Sequence, residues 1–199
     1  MKVYAFISQD SDKDVASIKI EDPYFEYEFI KPICITKIDK KAKSDYFVGF
    51  TEGPSGDPSF EFYKIENGEY KYKFGLPGLQ VYIPGNGNIY TSGIVNNMFD
   101  VKAKFRFEND NVQEVSQPFY YVGFETKTLE HIKLYSDKSF SRVVATLPPN
   151  SEIELIAAET NSDRTKHYFL IKTSFGLLGW WELDDFFSKK IEGLYFRGD

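Results

Sequence analysis

The sequence is poor in cysteine, in long apolar runs and in basic clusters, and each shortage excludes a class of protein. Cys34 is the only cysteine among 199 residues, so the chain forms no internal disulfide. No stretch approaches the ~20 apolar residues that cross a bilayer, and we therefore predict no transmembrane segment. The start, MKVYAFISQDSD (1–12), lacks the apolar core of a signal peptide. From this start we expect a cytoplasmic protein, or an envelope protein whose leader has been removed.

Positive charge is also scarce. The chain carries 24 Lys and Arg against 30 Asp and Glu, which gives a formal net charge of -6. Proteins that bind nucleic acids need a positive field to attract phosphates, and the main basic cluster, KIDKKAK (37–43), is typical of a solvated loop. We therefore predict no nucleic-acid partner. The negative charge instead suits an acidic protein that masks a partner's basic surface, because complementary charge speeds association.

Sequence motifs of catalysis are missing, with neither a Gly-x-Ser-x-Gly elbow nor a phosphate-binding loop. Cys34 lies in the alternating sequence KPICIT (31–36), without the helix N-terminus or cation that activates a catalytic thiol. We predict that it is a small core residue. Asp184 and Asp185 form a pair that suits acid–base chemistry in a hydrolase. Adjacent acids are more typical of a helix start, so we predict a short helix over LDDFFSKKI (183–191). Because no catalytic motif is found, we also predict that the protein is not an enzyme.

Metal ligands are few as well. An acidic segment follows the spacing of a calcium-binding loop, with carboxylates at its first, third, fifth and twelfth positions: Asp10, Asp12, Asp14 and Glu21. Its sixth position is Val15, where such a loop needs glycine for its sharp turn, so a solvated acidic loop is predicted instead. His131 and His167 have no clustered partners that would complete a zinc site. We therefore predict no metal and no cofactor.

Aromatic residues, by contrast, are abundant at 18% of the chain, which favours strands. Apolar and charged residues alternate with period two in VKAKFRFE (101–108), YFEYEFI (24–30) and YKYKF (70–74), as in half-buried antiparallel strands. The sequence ENGE (66–69) is a hairpin signal, because Asn-Gly accepts the positive φ angles of a tight turn. We predict an all-β protein with on the order of a dozen strands or more, arranged as in sandwiches and barrels.

The polar segment ETKTLEH (125–131) predicts a domain boundary, with an unassigned sandwich or barrel-like β domain over 1–126 and a second domain over 127–199 that folds with its own core. The second domain contains three segments whose order and spacing match a known domain pattern. They are IKLYSD (132–137), RVVATLPPNSEIELIA (142–157) and HYFLIKTSFGLLGWWEL (167–183). They resemble the opening strand, the Leu-Pro turn with its following strand, and the Gly-Trp hairpin of the bacterial Src-homology-3-like domain family. The resemblance implies a small β-barrel.

Both tryptophans of the chain are adjacent in FGLLGWWELDDF (175–186). Strand alternation sends Trp180 and Trp181 to opposite faces. Trp181 shares a face with Leu183, so we predict that Trp181 is buried, with Gly179 making room, and that Trp180 is partly exposed. The same alternation predicts a set of core residues in this domain: Ile153, Leu155, Ala157, Phe169 and Ile171. The family pattern has glycine in the Pro turn where this chain has Asn150, which also accepts left-handed geometry.

The resemblance implies a binding module without enzymatic activity, with a peptide, peptidoglycan or protein partner and a location in the cell envelope. It also implies an aromatic ligand groove formed by side chains such as Tyr135, Tyr168, Phe175 and Trp180. Flat aromatic rings offer a large contact area at low entropic cost, which suits peptides and glycans. The alternatives are an acidic cytoplasmic interaction protein of the masking or immunity type and, third, a hydrolase with a carboxylate site.

Overall fold

The computed structural model describes the backbone of residues 3–6, and residues 30–53, 56–160, 167–183, 185 and 187–198 in full apart from the side chain of Thr160. Throughout these ranges the regular structure is antiparallel β and no helix occurs, which confirms the predicted all-β class. The described residues divide into two compact units. The first combines the chain up to Asn96 with Lys102–Ser116, and the second combines Asn97–Val101 with Gln117–Arg197.

The first unit contains two sheets, with strand orders β1-β6-β7-β8-β9 and β2-β3-β4-β5. Its strands are β1 (Val3–Phe6), β2 (Lys31–Thr36), β3 (Tyr46–Thr51), β4 (Ser59–Glu66), β5 (Glu69–Pro77), β6 (Gln80–Ile83), β7 (Asn88–Ser92), β8 (Ala103–Glu108) and β9 (Asn111–Glu114). Aromatic rings connect the two sheets, since Phe107 lies 5.9 Å from Phe74 and 5.4 Å from Tyr46, centroid to centroid.

Tight turns join two hairpins of this unit, one of them at the predicted Asn-Gly. Asn67 and Gly68, between β4 and β5, have φ values of 53° and 83°, as a two-residue primed turn requires. Asn109 and Asp110 repeat this geometry between β8 and β9, with φ of 52° and 62°. The alternation predicted for β8 is also confirmed over the strand itself, where Ala103 and two phenylalanines are buried.

The alternation predicted for YKYKF is wrong, because β5 contains a bulge. Phe62 pairs with Phe74 whereas Tyr63 pairs with Tyr72, so Lys73 is an extra residue on β5. A bulge moves the following side chains to the other face of the sheet. Phe74 is therefore buried in the core, while Tyr72 is exposed on the opposite face.

The second unit is one six-stranded sheet of order β10-β13-β14-β15-β11-β12. Its strands are β10 (Tyr120–Lys127), β11 (Ile132–Tyr135), β12 (Val143–Leu147), β13 (Glu152–Thr160), β14 (His167–Thr173) and β15 (Leu178–Leu183). Asn150 has a φ of 66°, which confirms its predicted left-handed geometry in the Pro turn.

The core of the second unit follows the predicted alternation except at one residue. Ile153, Leu155, Phe169 and Ile171 are all buried, as predicted. Ala157 is only half-buried, because β13 has a register shift between Leu155 and Ala157 that turns Ala158 inward instead.

The helix predicted over 183–191 does not form among its described residues. The Oδ1 of Asp185 accepts a hydrogen bond from the N–H of Phe187 at 2.9 Å, and the N–H of Ser188 donates to the carbonyl of Asp185 at 2.9 Å. An Asp side chain that bonds nearby backbone in this way competes with helix formation. Asp184 lies outside the described residues, as do the acidic loop that contains Asp10 and most of YFEYEFI (24–30).

The strand β10 belongs to the sheet of the second unit, since it pairs with β13 from Tyr120 to Lys127. The division between residues 126 and 127 stays a prediction. Residues of Asn97–Val101 also contribute to this unit, and Met98 and Phe99 are buried in its core. The compact second unit is thus built from more of the chain than its last third.

Candidate functional site

The tryptophan pair divides between the two faces of β15. Trp181 is 6% exposed and belongs to the core, whereas Trp180 is half-buried on the outer face, which confirms the predicted facing. Gly179 serves a different purpose from the one predicted. A Cβ atom at Gly179 would lie 2.7 Å from the Cβ of Leu134, so the glycine makes room for β11 rather than for Trp181.

Strand register places the other aromatic side chains of the predicted groove beside Trp180. Tyr135 on β11 pairs directly with Trp180. On the next strand, Leu170 pairs with Trp180, and Tyr168 lies two residues further along on the same face. Glu159 on β13 pairs with Tyr168 and adds a carboxylate to this outer face. The sheet thus brings three predicted site residues together from three strands.

The loop from Ser136 to Arg142, between β11 and β12, is fixed by Asp137. The N–H of Ser139 donates to the Oδ1 of Asp137 at 2.8 Å, and the hydroxyl of Ser136 donates to its Oδ2 at 2.9 Å. Hydrogen bonds from the side chain and backbone of Ser139, and then from Ser136, hold the pKa of the Asp137 carboxyl below its usual range. A carboxylate that accepts several hydrogen bonds stabilises a turn of this kind.

Phe140 in this loop has a φ of 54°, which a bulky side chain rarely adopts. Such a conformation costs on the order of 1–3 kcal/mol and persists only where the surrounding structure enforces it. The ring of Phe140 contacts Tyr135 edge-on, with centroids 5.2 Å apart, and stacks on Tyr168 at 5.8 Å. The loop therefore inserts a strained aromatic residue between two of the predicted groove residues.

Lys138 in the same loop lies over two aromatic rings. Its Nζ is 5.9 Å from the centroid of Tyr168 and 5.6 Å from that of Trp180, within the range of a cation–π contact. The same ammonium forms an ion pair with Glu159. The outer face thus holds one cation, Lys138, which lies over two aromatic rings and is paired with the carboxylate of Glu159.

These side chains form one surface, which we call the aromatic patch. Phe119 completes it, because its ring is 50% exposed and lies 6.1 Å from that of Trp180. The patch consists of Phe119, Tyr135, Lys138, Phe140, Glu159, Tyr168 and Trp180. Within the patch the ring of Phe119 is exposed and the other four aromatic rings are half-buried.

Phe175, the fourth residue predicted for the groove, lies apart from these ring contacts. It occupies the turn between β14 and β15, where it is 87% exposed. Sequence reasoning missed Phe119, Lys138, Phe140 and Glu159. The one available signal was an aromatic residue within the polar loop SDKSFSR (136–142), where no strand pattern requires it.

A shallow depression of about 340 Å³ adjoins the patch on the same unit. Tyr135 and Phe140 line it on one side, and Glu182, Lys190 and His131 add polar groups. A ligand that rests on the patch therefore has a polar concavity next to its aromatic contacts. Such a combination suits a peptide with both apolar and charged groups.

The first unit has its own polar cluster, centred on Asp110. The hydroxyl of Tyr46 donates to the Oδ1 of Asp110, and the Nζ of Lys64 lies 2.7 Å from its Oδ2. Burial raises the pKa of Tyr46, and the hydrogen bond to Asp110 raises it further. Since a phenol with a raised pKa is harder to ionise, Tyr46 remains a hydrogen-bond donor to Asp110 in the β8–β9 turn.

Cys34 lies on β2, as its sequence context predicted, but it is half-buried rather than part of the core. Burial raises the pKa of its thiol. A raised pKa keeps the group in its unreactive thiol form near neutral pH. Among the described side chains, no three His, Cys, Asp or Glu residues lie close enough together to bind a metal ion.

Comparison with known proteins gives no match: no family model, no curated protein and no solved structure matches the chain. In the part of the chain that the structure describes, no helix is long and apolar enough to cross a membrane.

Proposed function

We propose that the second unit is a binding module of the bacterial Src-homology-3-like type, without enzymatic activity, which binds a peptide or cell-wall ligand through the aromatic patch. The observation that carries the proposal is the convergence of Tyr135, Tyr168 and Trp180, from three strands, on one partly exposed surface. The strained φ of Phe140 supports it, because strain of this kind is concentrated at functional sites.

The chemistry of the patch favours recognition over catalysis. Aromatic anchors supply most of the binding energy at many interfaces, since they bury a large area and lose little side-chain entropy. The two charged groups of the patch, Lys138 and Glu159, are paired with each other. With a peptidoglycan ligand, the protein would act in the cell envelope.

The proposal is tested by capture on two competing baits, purified peptidoglycan and a cell lysate, with the full-length protein. The variant Trp180→Ala should lower the affinity for the captured ligand by about 1–4 kcal/mol, as expected for an aromatic anchor. Phe187→Ala is the matched control, because Phe187 is also a large aromatic residue, is 87% exposed and lies outside the patch. Undiminished capture by a folded Trp180→Ala variant would refute the proposal.

A second candidate function is a cytoplasmic interaction protein of the masking or immunity type. The net charge of -6 favours it, since an acidic protein is attracted to a basic partner. The two candidate functions predict different results in the same capture experiment. Selective retention of one basic protein from the lysate, weakened by added salt and absent from the peptidoglycan arm, would favour the second.

A further inference from the structure

We propose that the aromatic patch binds a primary ammonium group, that of a lysine side chain in a peptide ligand, at the position that Lys138 of the chain itself occupies. This inference rests on the proposed function and names the chemical class of its ligand. The Nζ of Lys138 shows that an ammonium fits there, since it lies over the rings of both Tyr168 and Trp180 and pairs with Glu159.

The three partners of this ammonium, Tyr168, Trp180 and Glu159, are groups that stabilise a cation. Two aromatic faces attract a cation through their quadrupoles, and a carboxylate neutralises its charge. Glu182, which pairs with Tyr168 on the neighbouring strand, places a second carboxylate close to the patch. Once Lys138 leaves, a ligand cation therefore meets two aromatic rings and the carboxylate of Glu159.

Lys138 can leave without unfolding its loop. The loop is held by the hydrogen bonds of Asp137 and by the ring contacts of Phe140, none of which involves the Lys138 side chain. The side chain of Lys138 is 38% exposed, and its flexible four-carbon stem can turn towards solvent. Exposed ion pairs and cation–π contacts are also weak individually, so little free energy opposes the displacement of Lys138 by a ligand ammonium.

This arrangement makes Lys138 an internal competitor of the ligand. Removing its charge should free the rings and Glu159, whereas removing the charge of Glu159 should weaken the site for any cation. The opposite role is a direct contact, in which Lys138 binds an anionic group of the ligand. The two roles predict opposite effects for the substitution Lys138→Gln.

The test is a titration of the full-length protein with a blocked peptide, acetyl-Gly-Lys-Gly-amide, followed by the indole N–H signals of the two tryptophans in NMR spectra. Acetyl-Gly-Gln-Gly-amide is the uncharged control peptide. The lysine peptide should shift the signal of Trp180 and leave that of the buried Trp181 in place. We expect Lys138→Gln to raise the affinity ~2–5-fold and Glu159→Gln to lower it ~3–10-fold, as for exposed cation–π and ion-pair contacts.

Lys172→Gln is the matched control variant. Lys172 forms an exposed ion pair with Glu154 at 2.9 Å on the same sheet, outside the patch, so its loss should leave the affinity unchanged. Equal shifts with both peptides, weaker binding by Lys138→Gln, or unchanged binding by Glu159→Gln would overturn the inference. If the lysine peptide fails while capture of another ligand still depends on Trp180, only the ammonium site is refuted. If capture is also independent of Trp180, the proposed function fails with it.

Discussion

Individual residues of the second unit differ in whether their side chains pack in the core or lie at the surface, and the adjacent tryptophans show this most clearly. Trp181 packs in the core with its ring 6.0 Å from that of Phe169, whereas Trp180 contacts the exposed ring of Phe119. One residue step along β15 thus changes the environment of the same side chain from core to surface, because successive strand residues point to opposite faces.

The substitution Trp181→Ala should lower the free energy of unfolding by about 3–5 kcal/mol, since it empties a large aromatic volume from the core. Trp180→Ala should lower the free energy of unfolding clearly less, because the ring of Trp180 is only half-buried. Urea unfolding followed by far-UV circular dichroism measures both. A silent Trp181→Ala together with an unfolded Trp180→Ala would contradict the facing of β15.

Phe140 offers a second test at the residue scale, because its backbone conformation and its ring make separate contributions. Phe140→Ala removes the ring contacts and keeps a non-glycine residue at a φ of 54°. Phe140→Gly removes the same contacts but relieves the strain. The glycine variant should therefore be more stable than the alanine variant by about 1 kcal/mol in thermal or urea unfolding. Equal stabilities would show that the loop relaxes out of the left-handed region when the ring is lost.

The β8–β9 turn is an element held in place by charge. Burial alone would raise the pKa of Asp110, but hydrogen bonds from Lys64 and Tyr46, with the charges of Lys64 and Lys73, outweigh burial and lower it. A carboxyl with a lowered pKa in the folded state stabilises the protein above its unfolded pKa, and this contribution is lost as the pH falls through the folded value.

The variant Asp110→Asn isolates this charge, since asparagine also accepts the positive φ of the turn. It should be less stable than the wild type at pH 7. The difference should begin to shrink near the ordinary Asp pKa of about 3.9, where the unfolded carboxyl takes up a proton, and should be lost once the pH falls through the lowered pKa of the folded carboxyl. Urea unfolding across this pH range measures the difference. A constant difference at all pH values would show that the geometry of the turn, not the charge, holds it.

At the level of elements, the sequence predicted features that follow from a local residue pattern, such as the inward-facing residues of a regular strand and a tight turn. Alternation predicted the core residues of β8 and most of those of β13, and Asn67-Gly68 predicted a hairpin turn. The bulges at Lys73 and near Ala157 were missed, because a bulge is set by the pairing of two strands and has no signature within one. The helix over 183–191 was wrong because Asp185 bonds the backbone of a turn.

In the candidate site, too, the residues on strands were predicted from the sequence and the residues in a loop were not. Tyr135, Tyr168 and Trp180 belong to strands, so alternation and hairpin register were enough to predict that they share a face. Phe140 and Lys138 reach the patch from a loop, and the path of a loop depends on its turn geometry and on distant contacts. The full composition of the patch therefore needed the three-dimensional structure.

The whole molecule contains two units whose chain segments interleave in sequence. Phe99 precedes the last strands of the first unit, yet its ring packs edge-on against Phe169 in the core of the second, with centroids 6.0 Å apart. Val122 on β10 belongs to the same core. The sequence alone predicts that residues 127–199 fold independently, but that fragment lacks both of these core residues.

We therefore expect the fragment 127–199 to give an undispersed amide spectrum, because the core is incomplete and β13 becomes an unpaired edge without β10. In the full chain, Phe99→Ala should lower the free energy of unfolding of the second unit by about 3–5 kcal/mol. A dispersed β-type spectrum from the fragment would show that Phe99 and β10 are dispensable for folding.

The aromatic patch is the proposed binding surface of the molecule. The most direct measurement is the ratio of dissociation constants for one captured ligand between Trp180→Ala and the wild type, with Phe187→Ala in parallel and circular dichroism to verify folding. We predict a ratio of about 5 to several hundred for Trp180→Ala, as for an aromatic anchor, and a ratio near 1 for Phe187→Ala. A ratio near 1 for a folded Trp180→Ala variant would show that the patch is not the binding surface.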